Sequence, residues 1–148
     1  MEVLYEDNHL IIVNKAASEI VQGDKTGDKP LSDIVKEYIQ VKYNKPGAVF
    51  LGVVHRLDRP VSGIVLFART SKALERMNKK FREKEIQKKY WAVVEKAPEK
   101  STGTLENYLI KNQEKNKSFV QKDDKAGAKL SKLSYKVLSQ SDKYTLLE

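Results

Sequence analysis

Phe50-Leu51-Gly52-Val53-Val54-His55-Arg56-Leu57-Asp58-Arg59-Pro60-Val61-Ser62-Gly63-Ile64-Val65-Leu66-Phe67-Ala68 places one acid between two arginines, in a loop bracketed by two apolar runs. Both runs are short and end in turn chemistry, so residues 50–54 and 64–68 are expected to be buried strands with Asp58 held at their edge. Two guanidinium groups beside a carboxylate favour its charged form. Asp58 is therefore expected to be ionised at neutral pH, able to act as a nucleophile or as a charge anchor. Pro60 stiffens the turn, and Gly63 permits an unusual backbone angle or a close approach. On spacing alone, Arg-Leu-Asp-Arg suits a surface ion-pair loop as well as an active site.

Upstream, residues 3–5 and 10–13 read as short strands joined by the polar turn Glu6-Asp7-Asn8-His9. Residues 16–29 lack periodicity and hold Gly23, Asp24, Gly27 and Asp28, which suggests a surface loop. Asn14-Lys15, at the polar end of an apolar run, suits either a strand exit or a support for a cleft. Leu31, Ile34, Val35, Tyr38 and Ile39 then recur at helical spacing, with Pro30 at the first turn and Asn44-Lys45-Pro46-Gly47 at the end. A second amphipathic helix is expected over residues 71–84, with Leu74, Met77, Asn78 and Phe81 on one face and Thr70 or Ser71 as cap. After Gln87 the pattern turns to strands at 89–94, 103–110, 118–121, 132–138 and 144–147. Residues 111–129, rich in Lys, Asn, Asp and Gly, read as a loop-borne basic hairpin. Many strands with two helices argue for an α+β fold.

The chain has 148 residues, enough for one hydrophobic core, and one domain is the expectation. Its 28 basic and 20 acidic residues leave a formal charge of +8, which suits a polyanionic partner. No apolar run approaches the ~20 residues of a spanning helix, and the first residues lack the pattern of a secretion signal, so no membrane partner and a cytoplasmic location are expected. With no cysteine and only His9 and His55 to offer imidazole, no metal site is expected. Lys79, Lys80, Arg82, Lys84, Lys88 and Lys89 gather after the motif, among Phe81, Tyr90 and Trp91. That mixture fits phosphate contact beside base stacking, and equally a solvated helix face.

The motif His55-Arg56-Leu57-Asp58, followed by Ser62-Gly63 and an apolar strand, resembles the signature of the RluA-type pseudouridine synthases. Three further stretches agree: residues 3–15, ending in Asn14-Lys15; Ser71-Lys72-Ala73-Leu74 with Phe81-Arg82; and Lys88-Lys89-Tyr90-Trp91-Ala92, similar to the strand that carries the family's active-site tyrosine. Val61 stands where family members commonly carry Thr, and Ala16-Ala17 replaces the usual Pro-Ala. The resemblance implies a mixed, largely antiparallel sheet with a few flanking helices and a central cleft. It also implies that residues 1–148 are the N-terminal and central part of a catalytic domain. Since residues 143–148 end within an apparent strand, a C-terminal part is expected to be missing, including an arginine that pairs with the catalytic aspartate.

What the resemblance implies chemically is an isomerase that converts uridine to pseudouridine in ribosomal or transfer RNA without a cofactor. Asp58 would be the catalytic residue, attacking ribose C1′ or uracil C6, or taking the C2′ proton. Ordinary glycoside hydrolysis wants two carboxyl groups ~5 to 9.5 Å apart, and no second motif acid is present. The base must leave its helix, a cost of a few kcal/mol offset by stacking in the pocket. Tyr90 would stack on the flipped uracil, Arg56 would fill the vacated space or hold the RNA backbone, and Arg59 would contact phosphate. His55 would either contact RNA or satisfy a backbone group at the strand end. Ser62 would hydrogen-bond the Asp58 loop. The competing reading is a non-catalytic RNA-binding module using the same basic cleft.

Overall fold

The computed structural model describes residues 1–148 apart from 116, 123, 125 and 126. The chain divides into two compact units, Met1–Gln87 and Lys88–Glu148. In the first, β1 (Glu2–Glu6) and β2 (Leu10–Lys15) form the expected hairpin. Then come α1 (Leu31–Lys42), β3 (Gly52–Val53), β4 (Gly63–Ala68) and α2 (Ser71–Arg82). The sheet is antiparallel with order β1-β2-β4-β3.

Period-two alternation decides what this sheet buries. Ile11 and Val13 of β2 pair with Phe67 and Val65 of β4, and all four are fully buried. Leu31, Val35 and Ile39, one stripe of α1, pack against that row and complete the core. Burying side chains of this size is worth about 1.5–3 kcal/mol each. The loop over residues 16–29 is not wholly a surface loop. Ile20 and Val21 enter the core, and their carbonyls accept the N–H groups of Leu31 and Ser32, which Pro30 has no side chain to cap. The strand expected over 50–54 shrinks to Gly52–Val53. Gly52 is where α2 comes closest, since a Cβ there would lie 2.7 Å from Leu74.

The start of α2 is capped by the Thr70 hydroxyl, which accepts from the Ala73 N–H at 3.1 Å. Asn78 is exposed, not part of the apolar face. Asn44 and Lys84, just beyond the two helices, adopt left-handed φ and end them.

The second unit is a five-stranded antiparallel sheet of β5 (Ala92–Val94), β6 (Thr102–Asn112), β7 (Lys117–Gln121), β8 (Lys129–Gln140) and β9 (Thr145–Leu147), in the order β5-β9-β8-β6-β7. The basic hairpin expected over 111–129 is the β6–β7 pair, as far as it falls within the described residues; residues 116, 123, 125 and 126 lie outside them. Two antiparallel sheets with two helices make an α+β fold. No helix among the described residues is long and apolar enough to cross a membrane.

Candidate active site

The turn that carries Asp58 is closed by the Val61 N–H, which donates to the Asp58 carbonyl at 3.0 Å. Behind it sits Lys15. The alternation that buries Ile11 and Val13 puts Lys15 third in the same row, opposite Gly63 of β4, and the side chain is fully buried. Its ammonium has three protons to satisfy, and it donates to the carbonyls of Ala16 at 3.1 Å, Arg59 at 3.2 Å and Val61 at 2.5 Å. Two of those carbonyls belong to the Asp58 turn. Burial pulls the Lys15 pKa below the usual lysine value. Glu19 and Asp58 work against that pull, and Arg59 adds to it. Lys15 is therefore more than a strand exit: it ties β2 to the turn from inside. Gly63, with φ of +137°, lets the chain leave the turn for β4 as the sequence required.

A second tie comes from outside. The Arg59 guanidinium donates to Asp28 at 2.7 Å and to the Thr26 hydroxyl at 2.8 Å, and lies 3.6 Å from Asp24. The Arg59 carbonyl also accepts the Ser18 N–H at 2.8 Å. Bonding to Asp28 holds Arg59 more firmly in its charged form. The loop that looked like a featureless surface segment thus grips the turn at both ends of Arg59. The side chain expected to contact phosphate is thus held by two carboxylates of its own chain.

His55 fixes the entry to the loop. Its Nε2 accepts the Leu66 N–H at 3.1 Å, which requires a lone pair at that nitrogen, and its ring stacks on Phe81 with centroids 5.2 Å apart. The backbone-satisfying role is the one these contacts describe. Held between these ties, Asp58 and Arg56 are both exposed. Among the described residues neither makes an ion pair, so the alternative reading of Arg-Leu-Asp-Arg as an ion-pair loop is not what forms; Arg59 goes to Asp28. Ser62 is exposed, and among the described residues its hydroxyl makes no hydrogen bond. Tyr90 belongs to the second unit, just ahead of β5, and is 54% exposed.

Lys15, Asp24, Thr26 and Asp28 are the residues that sequence reasoning undervalued. The signal for Lys15 was present: Ile11, Val13 and Lys15 alternate, so a strand reaching residue 15 must carry the lysine inward. No comparable signal marks Asp24 or Asp28, whose partner lies 31 residues away in the case of Asp28.

The family model described as RNA pseudouridylate synthase matches residues 9–148. The chain is 34% identical over 136 residues to the ribosomal large subunit pseudouridine synthase C of Rickettsia prowazekii, covering 92% of this chain and 43% of that protein. It is 35% identical over 115 residues to the protein of the same description in Buchnera aphidicola, covering 78% of this chain and 35% of the relative. Among solved structures, human RNA pseudouridylate synthase domain containing 4 superimposes with a TM-score of 0.81 at 21% identity, over 99% of this chain and 57% of that one. The chain thus spans less than half the length of these curated relatives.

Proposed function

The chain belongs to the RNA pseudouridylate synthase family, and from that premise we propose that the protein carrying it isomerises uridine to pseudouridine in RNA with Asp58 as the catalytic carboxylate. The observation that carries this reading is an exposed carboxylate, without ion-pair partners among the described residues, on a turn tied from behind by buried Lys15 and from the side by the Arg59 clasp. A carboxylate left unpaired on a held turn is what a reacting group needs. The curated relatives are named for the ribosomal large subunit, which favours ribosomal over transfer RNA as substrate and the cytoplasm as the compartment. Because the family match runs through both units, both are read as parts of one catalytic domain.

In the reaction the C1′–N1 bond breaks and a C1′–C5 bond forms; C5 loses a proton and N1 carries one in the product. Atoms and electrons balance without an oxidant or reductant. Asp58 acts at C1′, at uracil C6 or on the C2′ proton, three routes that all need it ionised and in reach of an extruded nucleotide. Arg56, exposed beside it, fills the space the base vacates or holds the RNA backbone, and Tyr90 stacks on the flipped uracil. His55 and Arg59 serve as positioning residues for the loop.

The test is Asp58→Asn in the full-length protein, with pseudouridine mapped in ribosomal RNA and RNA binding measured alongside. Loss of product with binding retained is the expected result. Equal product from variant and wild type would remove Asp58 from the chemistry, and a wild type that binds RNA but never forms product would favour a binding module instead.

A further inference from the structure

Only one face of α2 is used by the core of the first unit. Ala73, Leu74, Met77 and Phe81 are its buried or half-buried positions, while Lys72, Arg76, Lys79 and Arg82 are exposed. At 100° per residue these four fall on the outward side of the helix, which is ~18 Å long. All four line a shallow groove that also takes in Ser71, Glu75 and Asn78. One acid, Glu75, shares the face. Among the described residues none of the four cations lies within ion-pair distance of a carboxylate, whereas the next lysine, Lys80, is taken by Glu85 at 2.7 Å. A row of cations that the protein does not neutralise is costly in self-repulsion unless it meets an anion.

The geometry points to α2 as a track for the RNA phosphate backbone, an inference that rests on the function proposed above and adds to it a surface outside the Asp58 loop. A linear row, with successive charges about 4.5 to 6 Å apart along the axis, suits a linear polyanion better than a single small anion, which would want converging donors. The row also leads to the right place. Phe81, on the inner face near the C-terminal end of α2, stacks on His55 at the entry of the Asp58 loop, so that end of the helix lies next to the loop. Phosphate contacts of this kind fix register and carry no sequence information.

The experiment compares the full-length protein with the variant Lys72→Gln, Arg76→Gln, Lys79→Gln, Arg82→Gln, measuring binding of a uridine-containing RNA hairpin over a range of potassium chloride. Losing four phosphate contacts should lower the slope of log K against log salt by about 3 and weaken binding at least ~10-fold at low salt. The paired lysines of the α1 region provide the control: Lys29→Gln with Lys36→Gln should leave the slope unchanged. Matching melting points verify folding, and if the fourfold variant does not fold, Lys72→Gln with Lys79→Gln should shift the slope by about 1.5. An unchanged slope in a folded variant overturns the inference, as does binding to anionic lipid vesicles in preference to RNA that the variant loses. Product formation with an unchanged slope sinks the α2 track alone. A changed slope in a protein that never forms pseudouridine sinks the reaction and leaves the track standing.

Discussion

Lys15 shows how one buried charge organises a site. A lysine without exposure is tolerated because all three of its protons meet carbonyls, and two of those carbonyls belong to the turn that presents Asp58. Replacing Lys15 with Met keeps the apolar stem and removes a donor from the carbonyls of Ala16 and Val61, while the Arg59 carbonyl keeps the Ser18 N–H. Losing these part-buried hydrogen bonds should cost about 1–2 kcal/mol, read as a lowered denaturant midpoint, with turnover falling more than RNA binding. A variant as stable and active as wild type would show that the ammonium does not hold the turn. Arg59 is the weaker tie. Its bonds to Asp28 and Asp24 are partly exposed, so their loss should cost little stability. Asp24→Asn with Asp28→Asn should instead speed tryptic cleavage after the exposed Lys25 several-fold; unchanged cleavage would mean that the clasp does not restrain the loop.

Between elements, the join of β1 to α1 is electrostatic. Glu6 at the end of β1 accepts from Lys42 in the last turn of α1 and from the Tyr43 hydroxyl at 3.2 Å, while the Arg69 guanidinium sits 4.5 Å over the Tyr43 ring. The bond from Lys42, aided by the Tyr43 hydroxyl and the Lys42 and Arg69 charges, holds the Glu6 carboxyl below its usual value of 4.5 against the opposing effect of burial, and Lys42 is correspondingly raised. A carboxyl depressed in the folded state contributes stability above its unfolded pKa and loses it as pH falls through the folded one. Glu6→Gln should therefore flatten the fall in melting temperature below about pH 4.5 and lower stability at neutral pH. A variant whose acid profile overlays wild type would place the acid sensitivity elsewhere.

Over the whole molecule the two units are unequal. Every fully or nearly buried apolar side chain among the described residues lies between Ile11 and Ala73, and in the second unit Thr145 alone is buried. Trp91, Val93, Leu105, Val120, Leu130 and Leu133 remain more than half exposed. A sheet that buries so little apolar surface has little to set against the entropy of ordering its chain. Residues 1–87 made alone should melt cooperatively, whereas residues 88–148 alone should bind a hydrophobic dye and show no sharp transition. A cooperative melt from the second piece would mean that its strand pairing suffices.

Element types and their order could be read from the chain because they depend on neighbours a few residues apart. Short apolar runs bounded by turn residues mark β1, β2 and β4, helical spacing marks α1 and α2, and Thr70 caps the start of α2. The Asp58 turn was equally readable, since Pro60, Gly63 and the flanking apolar runs sit within one short window. Other features needed the folded chain. Lys15 reaches carbonyls 44 and 46 residues away, and Arg59 finds Asp28 across a loop whose Ile20 and Val21 are drawn into the core. Such partners are chosen by strand register and by where a loop is pulled, both products of long-range burial. No local pattern records them, and so the acid was visible early, while the contacts that aim it came only with the fold.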